Sequence, residues 1–234
     1  MSNISVVTLC KDNFFQLRLT IESILRLKKP PKEIIIQDGS NTNQIKNYIF
    51  GLNNKLISYK KSDDKGIYDA MNMAKRRVKG EYIHYLNSGD WIEGDGYSTI
   101  NKPMLFEVFL AQNAAKKNKK ATFHLFSSAY CHQGIIFRAN HEDYDLNYDI
   151  ASDYNLIVSE FNKGVDKLDF VKNNSIYFDT TGLSSKKKIA RERQYSEIIL
   201  KRRPKKWRLK ILIVSLKIFA HQIIFLMKKY LLLK

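Results

Sequence analysis

Four short apolar runs within residues 4–86 each stop at a polar turn, and amphipathic stretches fill most of the gaps between them. The runs are ISVVTL (4–9), EIIIQ (33–37), KLISYK (55–60) and KGEYIHYL (79–86). Runs of this length, rich in β-branched and aromatic residues, read as strands. After the first, FFQLRLTIESILRL sets Phe14, Leu17, Ile21, Ile24 and Leu25 at helical spacing. Before the fourth, GIYDAMNMAKRRV (66–78) puts Ile67, Ala70, Met71, Ala74 and Val78 on one helical face. The turn DGSNTN opens a shorter helix between the second and third runs. Strand and helix in alternation point to an α/β fold, a mostly parallel sheet with helices on its faces.

The turns carry the functional signal. Thr8 to Asp12, Asp38-Gly39-Ser40, Ser62 to Gly66 and Asn87-Ser88-Gly89-Asp90 all come directly after a strand. In an open α/β sheet such positions share the carboxyl rim, where ligands bind. Asn, Ser, Gly and Asp are also ordinary turn formers. Four polar turns gathered on one rim nevertheless describe a site. Further along, KKNKK (116–120) reads as a solvated surface turn, and FSSAYCHQGIIFR (126–138) as a strand with His132 and Gln133 at its start. A helix begins near Ser152-Asp153, after an aromatic, acidic loop.

With 234 residues, 44% of them hydrophobic, the chain supports a sizeable core, which excludes global disorder. Cys10 and Cys131 stand in apolar surroundings without CxxC spacing. They read as thiols of a reducing compartment, neither a disulfide framework nor a zinc site. No basic stretch followed by an apolar leader precedes ISVVTL, so the chain is expected in the cytoplasm. The formal charge of +17 is concentrated late in the chain, since no acid follows Glu197. It describes the partner of that basic segment and not the rim.

The stretches ISVVTLCKDN, TIESIL, EIIIQDGSNT, DKGIYDAMNMA, GEYIHYLNSGD, CHQGIIFR and YDIASDYNL, in that order, resemble the family 2 glycosyltransferases. The nearest likeness is to the bacterial exopolysaccharide group related to the colanic acid enzymes. The resemblance implies a GT-A fold, with a Rossmann-like, mixed, mostly parallel central sheet. Residues 1–182 would form the transferase domain, about 1–100 holding the nucleotide-sugar and about 101–182 facing the acceptor. It also implies inverting transfer from a nucleotide-sugar, UDP-sugar favoured, to a lipid-linked (polyprenyl diphosphate) saccharide of a bacterial surface polysaccharide.

The resemblance assigns the donor to Thr8, Asp38, Asp64, Lys65, Asp69, Asn72 and Asn87. Asp38 would receive N–H and ribose hydroxyl donors, or else form an Asx turn or helix cap. Lys65 and the helix N-terminus after Gly66 suit a diphosphate, though the same residues fit an ordinary capped helix. Asp90 stands where the family places a DxD-type motif for Mg²⁺ or Mn²⁺. Here the motif reads Asn87-Ser88-Gly89-Asp90, so one acid remains. Asp153 matches the family's general base, or is a helix N-cap. His132 and Gln133 are expected at the acceptor or sugar, because no second His or Cys stands at metal-ligand spacing. A non-catalytic nucleotide-sugar-binding protein is the alternative. A nucleotidyltransferase is disfavoured because TLCKDNFF lacks a glycine-rich phosphate loop.

Residues 183–234 read as a basic amphipathic helical extension. Lys217, His221 and Gln222 interrupt the apolar run 211–227, which argues against a span. Leu212, Ile213, Leu216, Phe219, Ala220, Ile223, Ile224 and Met227 share one helical arc, with Lys210, Lys217, His221 and Lys228 opposite. That pattern fits an in-plane helix on an anionic membrane surface through residues 201–234, or a helix packed on the catalytic domain. It gives a peripheral location on the inner face of the cell membrane. No nucleic-acid-binding motif accompanies the basic run.

Overall fold

Strands β1 (Ile4–Cys10), β2 (Glu33–Asp38), β3 (Ile57–Lys61) and β4 (Tyr82–Tyr85) are the four apolar runs, with ends shifted by one to three residues. They pair in parallel in the order β3-β2-β1-β4. The computed structural model describes residues 2–97, 100–112, 116–120, 131–162, 168–180 and 188–202. Every residue of β1, β2 and β4 is buried, as strands covered on both faces must be. Helices α1 (Phe14–Leu25) and α2 (Gln44–Leu52) cover one face, where Leu17, Ile21, Ile24 and Ile45 join Val6, Ile34 and Ile36. Helices α3 (Ile67–Lys75) and α4 (Ser152–Asn162) cover the other, where Met71, Ala74, Leu156 and Ile157 join Val7, Ile35 and Ile83. Val6 and Val7 thus feed opposite cores, the period-two signature of a strand between two layers.

Beyond β4 the same sheet continues through β8 (Ile135–Arg138), β6 (Met104–Gln112) and β9 (Phe170–Asp179) to β5 (Trp91–Gly94). The pairings there are antiparallel except β6 with β9. The parallel, helix-flanked first half is the architecture expected from the strand–helix alternation, and the mixed sheet as a whole is the one the family resemblance implies. Lys116–Lys120 is not a turn but strand β7, antiparallel to β6. Lysines are frequent on sheet-edge strands, so their polarity conceals the pairing. Of the strand expected over 126–138, Ile135–Arg138 forms β8 and His132–Gly134 forms a 3-10 turn instead; residues 121–130 lie outside the described residues.

In α3 the buried positions are Tyr68, Ala70, Met71, Asn72 and Ala74, whereas Ile67 is exposed. Helix α5 (Lys188–Arg202) packs on α4, burying Tyr195, Ile198 and Ile199 against Tyr154 and Val158. These fifteen residues lie inside the segment read as a basic extension. Residues 203–234, including the apolar run 211–227, lie outside the described residues. Among the described residues, no helix is long and apolar enough to cross a membrane.

Candidate active site

The polar turns meet on one rim. The Gly39 N–H donates to the Cys10 carbonyl (3.0 Å), Ser62 to that of Asp38 (3.1 Å) and Ser88 to that of Leu9 (3.4 Å). Asp12 N–H donates to Ser40 Oγ at 2.8 Å. Cys10 pairs with Asp38 in register, so Thr8 and Asp38 project from the same face of neighbouring strands. Asp38 is fully buried: Oδ1 accepts the Ser40 N–H (2.8 Å) in an Asx turn, and Oδ2 accepts the Tyr59 hydroxyl (2.7 Å). Burial, reinforced by Asp38, pushes the Tyr59 hydroxyl up and keeps it a donor. Among the described residues, Thr8 Oγ1, Asn87 Oδ1 and Ser88 Oγ are buried on this rim and have no hydrogen-bond partner. Orphaned oxygens of this kind are rare in protein interiors and stand out at a ligand site.

The loop after β3 closes the rim from the side. A Cβ on Gly39 would lie 2.5 Å from Asp64 Oδ2, so the Asp64 carboxylate packs directly over this glycine. Asp64 Oδ1 accepts the Gly66 N–H (2.9 Å) and Asp69 Oδ2 that of Lys65 (3.0 Å), which fixes the start of α3. Lys65 itself is exposed.

Asp90 sits at the end of a turn clamped by α1. Thr20 Oγ1 donates to the Asp90 carbonyl (2.6 Å) and accepts the Gly89 N–H (3.0 Å). The Asp90 side chain is 3% exposed, and its Oδ1 accepts the Asp179 N–H at 2.9 Å. Burial pushes its carboxyl well above the usual carboxylate range; that N–H works against the rise and the Asp179 carboxylate adds to it. Asp179 Oδ2 lies 3.4 Å from where a Gly89 Cβ would stand, so a second acid borders the turn. Among the described residues, no group of three or more His, Cys, Asp or Glu is arranged to hold a metal.

Across the rim stands Asp153, in the first turn of α4. Its Oδ1 accepts the Tyr68 hydroxyl (3.0 Å) and the Tyr154 N–H (2.8 Å). Burial raises its carboxyl above the ordinary value despite those donors. Cys131 links the two acids electrostatically: burial raises its thiol, and both Asp90 and Asp153 raise it further. The Asn72 amide clamps the Tyr144 backbone, donating to its carbonyl (2.9 Å) and accepting its N–H (2.8 Å). Those contacts turn Asn72 toward the Tyr144 loop. His132 Nε2 bonds the Tyr144 hydroxyl (2.7 Å), while its buried Nδ1 has no partner among the described residues. Burial lowers His132 to about 3, so the ring is neutral at physiological pH. The Gln133 carbonyl meets His84 Nε2 (2.7 Å), and its Oε1 accepts the Cys131 thiol (3.0 Å).

The profile described as Glycosyl transferase family 2 matches residues 5–150. The chain belongs to glycosyl transferase family 2. It is therefore a glycosyltransferase, and its fold is that of the GT-A enzymes. The structure of S. aureus TarS 1-349 in complex with UDP superposes with a TM-score of 0.61 at 13% identity, over 91% of this chain and 71% of that one. The same TarS fragment in complex with UDP-GlcNAc gives 0.60 at 13% identity, over 91% and 72%. GalNAc-T7 with UDP, GalNAc and Mn²⁺ gives 0.57 at 14% identity, over 76% of this chain and 44% of that one. At such identities the likeness is one of fold. A search of curated proteins finds no significant match.

In this glycosyltransferase, sequence reading overlooked three residues that shape the site. Thr20 looks like an ordinary helix residue, although a fully buried hydroxyl on an apolar face signals a partner. Tyr68 lies inside DKGIYDAMN, four residues before Asn72 and hence on the same helical face. Asp179 ends β9 and carries no local signal at all.

Proposed function

We propose that this glycosyltransferase transfers a sugar, with inversion, from a nucleotide-sugar to a lipid-linked saccharide at the cytoplasmic face of a bacterial membrane. A UDP-sugar is the favoured donor, in keeping with the UDP and UDP-GlcNAc in the TarS structures of like fold. Thr8 and Asp38 receive the base and ribose, and Asn87 borders them. Asp64 and Asp69 hold the α3 entry so that Lys65 and the helix N-terminus face the diphosphate. The hard oxygens of buried Asp90 and neighbouring Asp179 fit Mg²⁺ or Mn²⁺, and among the described residues the second Asp90 oxygen takes no hydrogen bond. Such an ion supplies Lewis-acid offset of the charge on the departing diphosphate.

Asp153 is the general base. The acceptor hydroxyl gives its proton to Asp153 as its oxygen bonds the anomeric carbon; the bond from that carbon to the diphosphate breaks, and the electron pair leaves with the nucleotide. Oδ1 is held by Tyr68 and Tyr154, which leaves Oδ2 for the proton. His132 and Gln133 stand beside it as acceptor or sugar contacts. The residues from 201 onward dock the enzyme on anionic lipid, where its acceptor resides.

The observation that carries this reading is the approach of Asp153 to the donor rim through its bond to Tyr68 of α3. Asp153→Asn should abolish transfer while leaving nucleotide binding intact; transfer at the wild-type rate sinks the assignment. UDP-, GDP- and dTDP-sugars screened for binding and hydrolysis, with Asp90→Ala as control, identify the donor.

A further inference from the structure

Tyr68 is 8% exposed and belongs to the second core, beside Met71 and Tyr85. Its ring stacks on Tyr144, with centroids 5.7 Å apart and planes 21° from parallel. Tyr144 is itself fixed, its backbone by Asn72 and its hydroxyl by His132. Thus the Tyr68 ring has little freedom, and its hydroxyl ends 3.0 Å from Asp153 Oδ1. Burial, with the Asp153 charge adding to it, pushes that hydroxyl far above its ordinary titration range, so it stays a donor at every working pH.

We infer that Tyr68 is a positioning residue for proton transfer, its hydroxyl holding Asp153 Oδ1 so that Oδ2 faces the acceptor. This rests on Asp153 being the base. Two consequences separate the role from plain packing. A hydrogen bond to the charged form of a carboxylate favours that form, so Tyr68 keeps Asp153 ionised against its burial. The bond also selects one orientation of the carboxylate, and a misplaced base loses rate without losing substrate affinity. The other groups facing Asp153 do not replace it. Tyr144 and Cys131 feel its charge, the Tyr144 hydroxyl is bonded to His132, and Arg191 of α5 attracts it electrostatically.

Tyr68→Phe keeps the ring and its stacking and removes only the hydroxyl. The full chain carrying it should lose kcat by about ten- to a hundredfold, the range for a hydrogen bond to a charged group, with donor KM within about twofold. The acidic limb of the kcat/KM profile should move to higher pH by about one unit, because the carboxylate loses a donor. In the Asp153→Asn background the same change should have no further effect on the residual rate. Wild-type kcat with an unmoved acidic limb overturns the inference, as does an undiminished penalty in the Asp153→Asn background. An inactive Asp153→Asn beside a normal Tyr68→Phe removes only the positioning role. An active Asp153→Asn removes the base reading itself.

Discussion

At the scale of single residues, the site depends on polar groups held where water does not reach. The Thr20 hydroxyl meets three backbone groups of the Asn87–Asp90 turn, the Asn87 and Asp90 carbonyls and the Gly89 N–H. His84, fully buried on β4, joins the Tyr97 hydroxyl (2.8 Å) to the Gln133 carbonyl (2.7 Å) and so ties the His132–Gly134 turn to the sheet. Neutral imidazole fits this pair, with Nε2–H donating to the carbonyl and Nδ1 accepting from the phenol. Burial lowers His84 from 6.5 to about 4. Between those values the unfolded chain binds a proton that the folded chain refuses, so this contribution is present above 6.5 and is lost as pH falls toward 4. Asp90 and Asp153, whose carboxyls are raised, act in the opposite sense, losing stability as pH rises past 3.8. The His84 part is therefore read by difference. Urea unfolding of wild type minus His84→Gln should fall by up to about 3 kcal/mol between pH 7 and pH 4. A pH-independent difference contradicts the assignment. The strand that carries His84 was visible in the sequence, but the partner at Gln133 was not.

At the scale of elements, α3 does more than an amphipathic helix need do. Its sequence predicted Ile67 on the buried face, yet Tyr68 and Asn72 take the interior, four residues apart on one side. Through them the helix grips the Tyr144 loop and Asp153, so the motif DKGIYDAMN joins the rim of polar turns to that loop and to α4. Asn72→Leu leaves a buried N–H and a buried carbonyl of Tyr144 unpaired. It should cost about 1–3 kcal/mol per orphaned group in a denaturant titration, with kcat falling as the loop loosens. An unchanged unfolding midpoint would show that the clamp holds nothing. The strands β1 to β4 were legible because each is a short apolar run bounded by turn chemistry, with β1, β2 and β4 buried throughout. β7 was not, since a strand of lysines at an edge is defined by backbone pairing to β6 and by nothing in its side chains.

At the scale of the whole molecule, one sheet runs from β3 through to β5, parallel up to β4 and antiparallel where β4 meets β8. The charge is distributed differently: residues 203–234 carry nine Lys or Arg and no acid. A chain ending at Arg202 keeps α5 on α4 and every site residue named above. It should lose binding to anionic vesicles while retaining transfer to a soluble acceptor, and the full chain's vesicle binding should weaken with salt. Equal sedimentation of both chains with the vesicles would exclude docking by this segment. The sequence by itself determined the alternation of strand and helix, the two-sided burial of the first strands and the polar chemistry of their turns. These follow from hydrophobic period and turn composition, which are local. Only the tertiary structure decided that Tyr68 meets Asp153 across 85 residues and Asp179 meets Asp90 across 89. Such meetings depend on strand order and register, and the period of a strand says which face a residue occupies without saying which strand lies beside it.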